Sequence, residues 1–95
     1  MNSAGVYLSP AAVGVSRVQT AVDNLGFPDG VLAVEVEQKT IHPEDWGDYS
    51  IVVYLFGIDA DSQAGPYARA LAEKLGVEVL TEVELDRRLA AASTR

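Results

Sequence analysis

Ile51-Val52-Val53-Tyr54-Leu55-Phe56, running into Gly57-Ile58-Asp59-Ala60-Asp61-Ser62, decides the architecture of this chain. Six apolar residues rich in β-branched and aromatic side chains, bounded by glycine and short acids, read as a strand. The run has no polar alternation, so the strand is expected to be covered on both faces and to lie at the centre of a sheet. Val53 and Leu55 are the residues expected deepest in the core.

Downstream of it, Ala68, Leu71, Ala72 and Leu75 recur at helical spacing. That helix has two candidate starts. Ser62 can act as its cap, or Gly65-Pro66 can supply N-cap and first position, where proline gives up no internal hydrogen bond. Gly76 ends it, and Val77-Glu78-Val79-Leu80 reads as a short strand. Thr81 with Glu84 three residues later forms a capping box for a last helix carrying Val83, Leu85 and Leu89. Glu84 and Arg88 stand at a favourable i, i+4 spacing on that helix.

Upstream, Val31–Glu37 alternates with period two. Leu32, Val34 and Val36 point one way and Ala33, Glu35 and Glu37 the other, the pattern of a strand with one wet face and an antiparallel neighbour. Before it, Val15, Val18, Val22 and Leu25 share one helical face. Ser9 serves as N-cap and Pro10 as first residue, while Gly14 weakens the helix by roughly 1 kcal/mol against alanine. Gly26 stops the helix and Phe27-Pro28-Asp29-Gly30 makes a turn. Val6, Tyr7 and Leu8 form a short edge strand in a minor alternative.

The expected order is thus α-β-β-α-β-α: a single small α+β domain of α/β-like character over residues 1–95. Its sheet is mixed and three-stranded, covered by helices. The first strand sits at an edge, antiparallel to the central one, and the last runs parallel to the central one through a right-handed crossover. Residues 1–8 and 92–95 are expected to be flexible ends.

Composition narrows function mainly by exclusion. The chain has 95 residues, 14 acids against 7 bases, one histidine and no cysteine. Disulfides and thiolate metal sites are therefore impossible. Nine of the fourteen carboxylates fall between Asp23 and Asp61, where Lys39 is the one base. Such a field disfavours nucleic acid and anionic membranes and favours a basic protein surface. No apolar run approaches the ~20 residues of a membrane span, and Met1-Asn2-Ser3-Ala4-Gly5 lacks signal-peptide character, so a cytoplasmic protein is expected.

Three groups of residues carry possible chemistry. Asp59-Ala60-Asp61, at the end of a hydrophobic strand, resembles the first motif of haloacid-dehalogenase-like phosphatases. There one aspartate attacks phosphorus and magnesium neutralises the charge. The resemblance covers about a dozen residues, and members of that family also need a downstream lysine, a further acidic metal motif and far more chain than this. Asp59 and Asp61 remain metal candidates for a hard cation, beside the simpler reading that they cap the following helix.

The second group is Ile41 to Tyr49, which gathers His42, Glu44, Asp45, Trp46, Asp48 and Tyr49 in a connection longer than a hairpin needs. Tryptophan and tyrosine ringed by acids suit a protein-binding loop, with Trp46 either its anchor or a lid on the sheet. The third group, Glu35 and Glu37, leads into that loop along an edge strand that can add to a partner's sheet. Arg87 and Arg88 read as solvated charges or as complements to the helix dipole.

With no glycine-rich phosphate cradle and no nucleophile motif, the sequence points away from an enzyme and implies no cofactor. The expected function is an acidic protein-binding module, an inhibitor or immunity/antitoxin-type protein engaging a basic partner through Glu35, Glu37, His42, Glu44, Asp45, Trp46, Asp48 and Tyr49. A small magnesium-dependent phosphohydrolase using Asp59 and Asp61, or a subunit of a homo-oligomer, are the alternatives.

Overall fold

The apolar run does form an inner strand, β3 (Ile51–Phe56), but its neighbours differ from those expected. The computed structural model describes residues 2–39 and 49–93. Within them the order is β1 (Ser3–Leu8), α1 (Val15–Leu25), β2 (Ala33–Gln38), β3, α2 (Ala60–Leu75), β4 (Leu80–Thr81) and α3 (Glu82–Ser93). The sheet is four-stranded in the order β2-β3-β1-β4, and every pairing is antiparallel. β4 runs in the same direction as β3, as the crossover through α2 requires, yet β1 lies between them. This succession and strand order follow the split β-α-β plan of ferredoxin-like domains, with α3 appended.

The expected mixed three-stranded sheet is therefore corrected to four antiparallel strands, because Ser3–Leu8 is an inner strand and neither a loose end nor an edge. Val6 and Leu8 are fully buried. The segment's small residues, which make it look unstructured in sequence, are a packing device. A methyl group on Gly5 would stand 3.1 Å from the Tyr7 hydroxyl and 3.3 Å from Val52 Cγ1. The Tyr7 ring thus lies across its own strand at the one place without a side chain.

Register divides the sheet into two faces. Ile51, Val53 and Leu55, with Val6 and Leu8, join Val18, Val22 and Leu71 from α1 and α2 in the main core. Val52 points the other way and packs with Tyr7, Leu80 and Leu85 beneath α3. The central strand is thus covered on both faces, as its run of apolar residues implies. α3 packs on β1 and β4. Tyr54 and Phe56, on the β2–β3 half of that second face, are only half-buried.

The helix starts also moved. Ser9 and Pro10 do begin a helical turn, with Ala11 N–H donating to Ser9 Oγ at 3.2 Å and Ala12 and Val13 amides donating to Ser9 O. The turn ends at Gly14, whose backbone is extended (φ −76°, ψ 150°), and α1 starts afresh from there. Glycine's poor helix propensity decides where the break falls. α2 starts at Ala60, earlier than either expected position, so Gly65 and Pro66 lie inside it. Pro66 has no amide to give Ser62's carbonyl, a local loss that the surrounding helix tolerates. At α3 the capping box is present: Thr81 N–H donates to Glu84 Oε1 at 3.0 Å and Glu84 N–H to Thr81 Oγ1 at 3.4 Å. The Thr81 N–H, and next the Thr81 hydroxyl that donates to the same oxygen at 3.0 Å, hold the Glu84 carboxyl below the usual range.

Candidate functional site

β2 is the longer of the two edge strands among the described residues, and its alternation is as read from sequence from Ala33 onward. Val34 and Val36 face the core, while Glu35 and Glu37 are exposed on the other face. Leu32 does not continue the inward row; it is 69% exposed. Its N–H donates to Phe56 O at 2.7 Å although Ala33 is the residue paired with Phe56. Leu32, just before β2, and Ala33 thus both oppose Phe56 of β3, and the extra residue turns Leu32 away from the core, as in a bulge.

On the outer face Glu35 lies across from Tyr54 and Glu37 across from Val52. Lys39 folds back over this surface. Its ammonium is 3.1 Å from Glu37 Oε2 and 5.2 Å from the centre of the Tyr54 ring. Its pKa is raised, first by the Glu37 carboxylate and then by Tyr54. Tyr54 and Phe56 stand side by side with ring centres 6.1 Å apart.

At the end of the sheet beside Leu32, two turns touch. Gly57 has φ 153°, and a methyl group there would lie 2.3 Å from Gly30 O. Asp59 N–H donates to Gly30 O at 3.1 Å, and the Asp59 carboxylate lies directly against the Gly30 Cα. The two turns in contact carry exposed Leu32 and Ile58, the latter 78% exposed, together with Asp29 and Asp59. Asp61 belongs to a different surface, a cleft shared with Gly5, Thr81 and Glu82. Asp59 is the N-cap residue of α2 but its side chain makes no capping bond, and Asp61 sits in the helix's first turn. Among the described residues no group of three or more histidine, cysteine, aspartate or glutamate side chains is placed to hold a metal ion.

Tyr49 is occupied within the fold. Its hydroxyl donates to Glu78 Oε1 at 2.7 Å and accepts from Arg88 at 2.6 Å, while Arg88 grips both Glu78 oxygens at 2.6 and 2.7 Å. The guanidinium also stands 5.7 Å from the Tyr49 ring centre. Arg88 is therefore a strut between α3 and the segment before β4, neither a free charge nor the partner of Glu84. The paired Arg88 and Tyr49 hydroxyl lower the Glu78 pKa. The cluster's contribution is thus present above the ordinary glutamate pKa and is lost as pH falls through the depressed value. Glu78→Gln and Arg88→Gln are expected to lower the melting temperature slightly at pH 7, with the double variant no worse than the poorer single one. Additive losses in thermal melts would show that the two groups act independently.

Compared with protein-family models, curated proteins and solved structures, the chain matches none. Of the residues expected at the site, Glu35 and Glu37 are exposed together on β2, and Tyr49 is turned to a structural task. His42, Glu44, Asp45, Trp46 and Asp48 lie outside the described residues. Leu32 and Ile58 are new. Ile58 carried a signal in the sequence, an apolar residue stranded between Gly57 and Asp59, whereas Leu32 was hidden by an alternation that appeared to include it.

Proposed function

We propose that this chain is an acidic protein-binding module that engages a basic protein surface and catalyses nothing. One observation carries the reading: Leu32 and Ile58 are both exposed on two turns that touch through Gly57, Asp59 and Gly30, Asp29 and Asp59 lie on the same turns, and the acidic row of β2 begins directly beyond. An apolar centre with a charged rim is the anatomy of an interface, where buried apolar area holds the complex and rim charges steer its formation. The same field opposes phosphate backbones and anionic lipid, because seven excess negative charges sit on 95 residues. An inhibitor or immunity-type role is the specific form that suits a small acidic chain facing a basic partner. No helix of the described residues is long and apolar enough to cross a membrane.

The test is capture of a partner by the tagged chain, identification of that protein, and titration of the two purified components. Association is expected to slow as salt rises toward ~0.15 M, where the Debye length is about 8 Å. Leu32→Ser with Ile58→Ser is expected to weaken the complex about tenfold or more, a loss in dissociation rate, while leaving the melting temperature of the free protein unchanged. A partner that binds the double variant as tightly, or whose association rate ignores salt, would overturn the proposal.

A further inference from the structure

The outer edge of β2 offers a built docking line, and the residues on it say what kind of strand it takes. Lys39 N–H donates to Ser50 O at 2.8 Å, in step with the Gln38–Ile51 register. In an antiparallel ladder such pairs alternate, so Glu37 and Glu35 also turn their backbone groups toward β3. The amides and carbonyls of Val34, Val36 and Gln38 therefore point out of the sheet. Among the described residues no strand pairs with this side of β2, and six residues of such an edge are a template for one more strand.

The side chains beside that edge select its charge. A strand added to β2 places alternate residues within about 5 Å of Glu35 and Glu37, on the face where Tyr54 and Phe56 stand half-buried. Lys39 already shows what this surface holds, with its ammonium on Glu37 and over the Tyr54 ring. Glu35, one step along the same row, has no ion-pair partner among the described residues and repeats the arrangement with its place unfilled. A second copy of this chain is a poor occupant. The two antiparallel registers that overlap β2 most fully set Glu35 against Glu35 or Glu37 of the second copy, and like charges directly opposite destabilise a sheet.

We infer that β2 binds an extended segment of the partner by strand addition, one that carries lysine or arginine at alternate positions facing Glu35 and Glu37. The inference rests on the acidic-module reading and names its mode of contact. The probe is a short synthetic peptide alternating lysine and threonine, titrated into the isotope-labelled full chain. Its binding is expected to shift the amides of Val34, Val36 and Gln38 and to slow their hydrogen exchange. A peptide alternating glutamate and threonine is expected to leave them unmoved. Gln38→Pro removes one outward amide from an exposed edge position, which a folded sheet tolerates, and is expected to abolish the effect. Glu35→Gln with Glu37→Gln is expected to weaken binding about tenfold while keeping the backbone intact.

No shift along β2, or equal binding by Gln38→Pro and the double glutamine variant, would overturn the inference. So would a doubling of mass in light scattering that Gln38→Pro reverses, since a second copy would then own the edge. The captured partner separates this failure from that of the broader reading. A partner lost on Leu32→Ser with Ile58→Ser but kept by Gln38→Pro leaves the acidic module standing and removes strand addition.

Discussion

Gly57→Ala is expected to leave the chain largely unfolded, or to cost more than ~3 kcal/mol where a folded fraction survives. At φ 153° the backbone is in a region that residues with a β-carbon rarely adopt. The added methyl group would also meet Gly30 O at 2.3 Å, Val31 Cα at 2.9 Å and Leu32 N at 3.0 Å. All three are backbone atoms, so no rotamer change relieves the overlap. Relief requires the start of β2 to move away from the end of β3, which breaks the Leu32–Phe56 and Asp59–Gly30 bonds together. Against a total stability of ~5–15 kcal/mol, this is a large fraction. Gly14→Ala is the control. Gly14 has φ −76° and open space where its methyl group would go, so this change is expected to be neutral or mildly stabilising. Urea melts of the two variants beside the parent decide the matter. A Gly57→Ala protein as stable as Gly14→Ala would mean that the two turns do not touch as described.

That contact also marks the limit of what the sequence could tell. The central strand, the antiparallel edge strand beside it, the two-sided burial of Val52 and Val53 and the Thr81–Glu84 cap were legible because each rests on local pattern. Periodicity reports which face is covered, and a capping box reports its own hydrogen bonds. β1 was not legible as an inner strand, since Ala4 and Gly5 have low strand propensity and the Tyr7 ring that needs the gap at Gly5 announces itself only in the sheet. Leu32 was misplaced for a related reason: one residue of bulge inverts the facing of a side chain without altering the alternation written in the letters. The charge of the site was readable from composition, while the apolar pair inside it depends on two turns that meet through space, distant in sequence. Arg88 followed the same rule, because Glu78 and Tyr49 become its neighbours only when α3 lies over β1 and β4.

Stability is expected to fall by about 4 kcal/mol between pH 10 and pH 12, enough to bring a domain of modest stability close to unfolding. Tyr7 and Tyr67 carry the effect. Both are buried, at 7% and 4% exposure, and both phenols are pushed up to about 12 from 10.0. Burial is the largest cause in each case, with Glu82 opposing ionisation of Tyr7 and Asp23 that of Tyr67. Below pH 10 both hydroxyls are protonated whether the chain is folded or not, so their contribution is fully present. From pH 10 upward the unfolded chain releases these protons while the folded chain keeps them. Unfolding is then favoured by about 1.4 kcal/mol per pH unit for each phenol, until the folded groups ionise as well. Urea melts at pH 8, 10 and 11 should show the fall, and Tyr67→Phe should remove about half of its slope. The same variant carries a second expectation at pH 8. The Tyr67 hydroxyl is buried without a hydrogen-bond partner among the described residues, so deleting it should cost nothing and is expected to raise stability by about 1 kcal/mol. A native-state titration by phenolate absorbance in which every tyrosine ionises near pH 10 would overturn the account. It would place Tyr7 and Tyr67 in water, and with them the Val52 and Leu71 faces they help to bury.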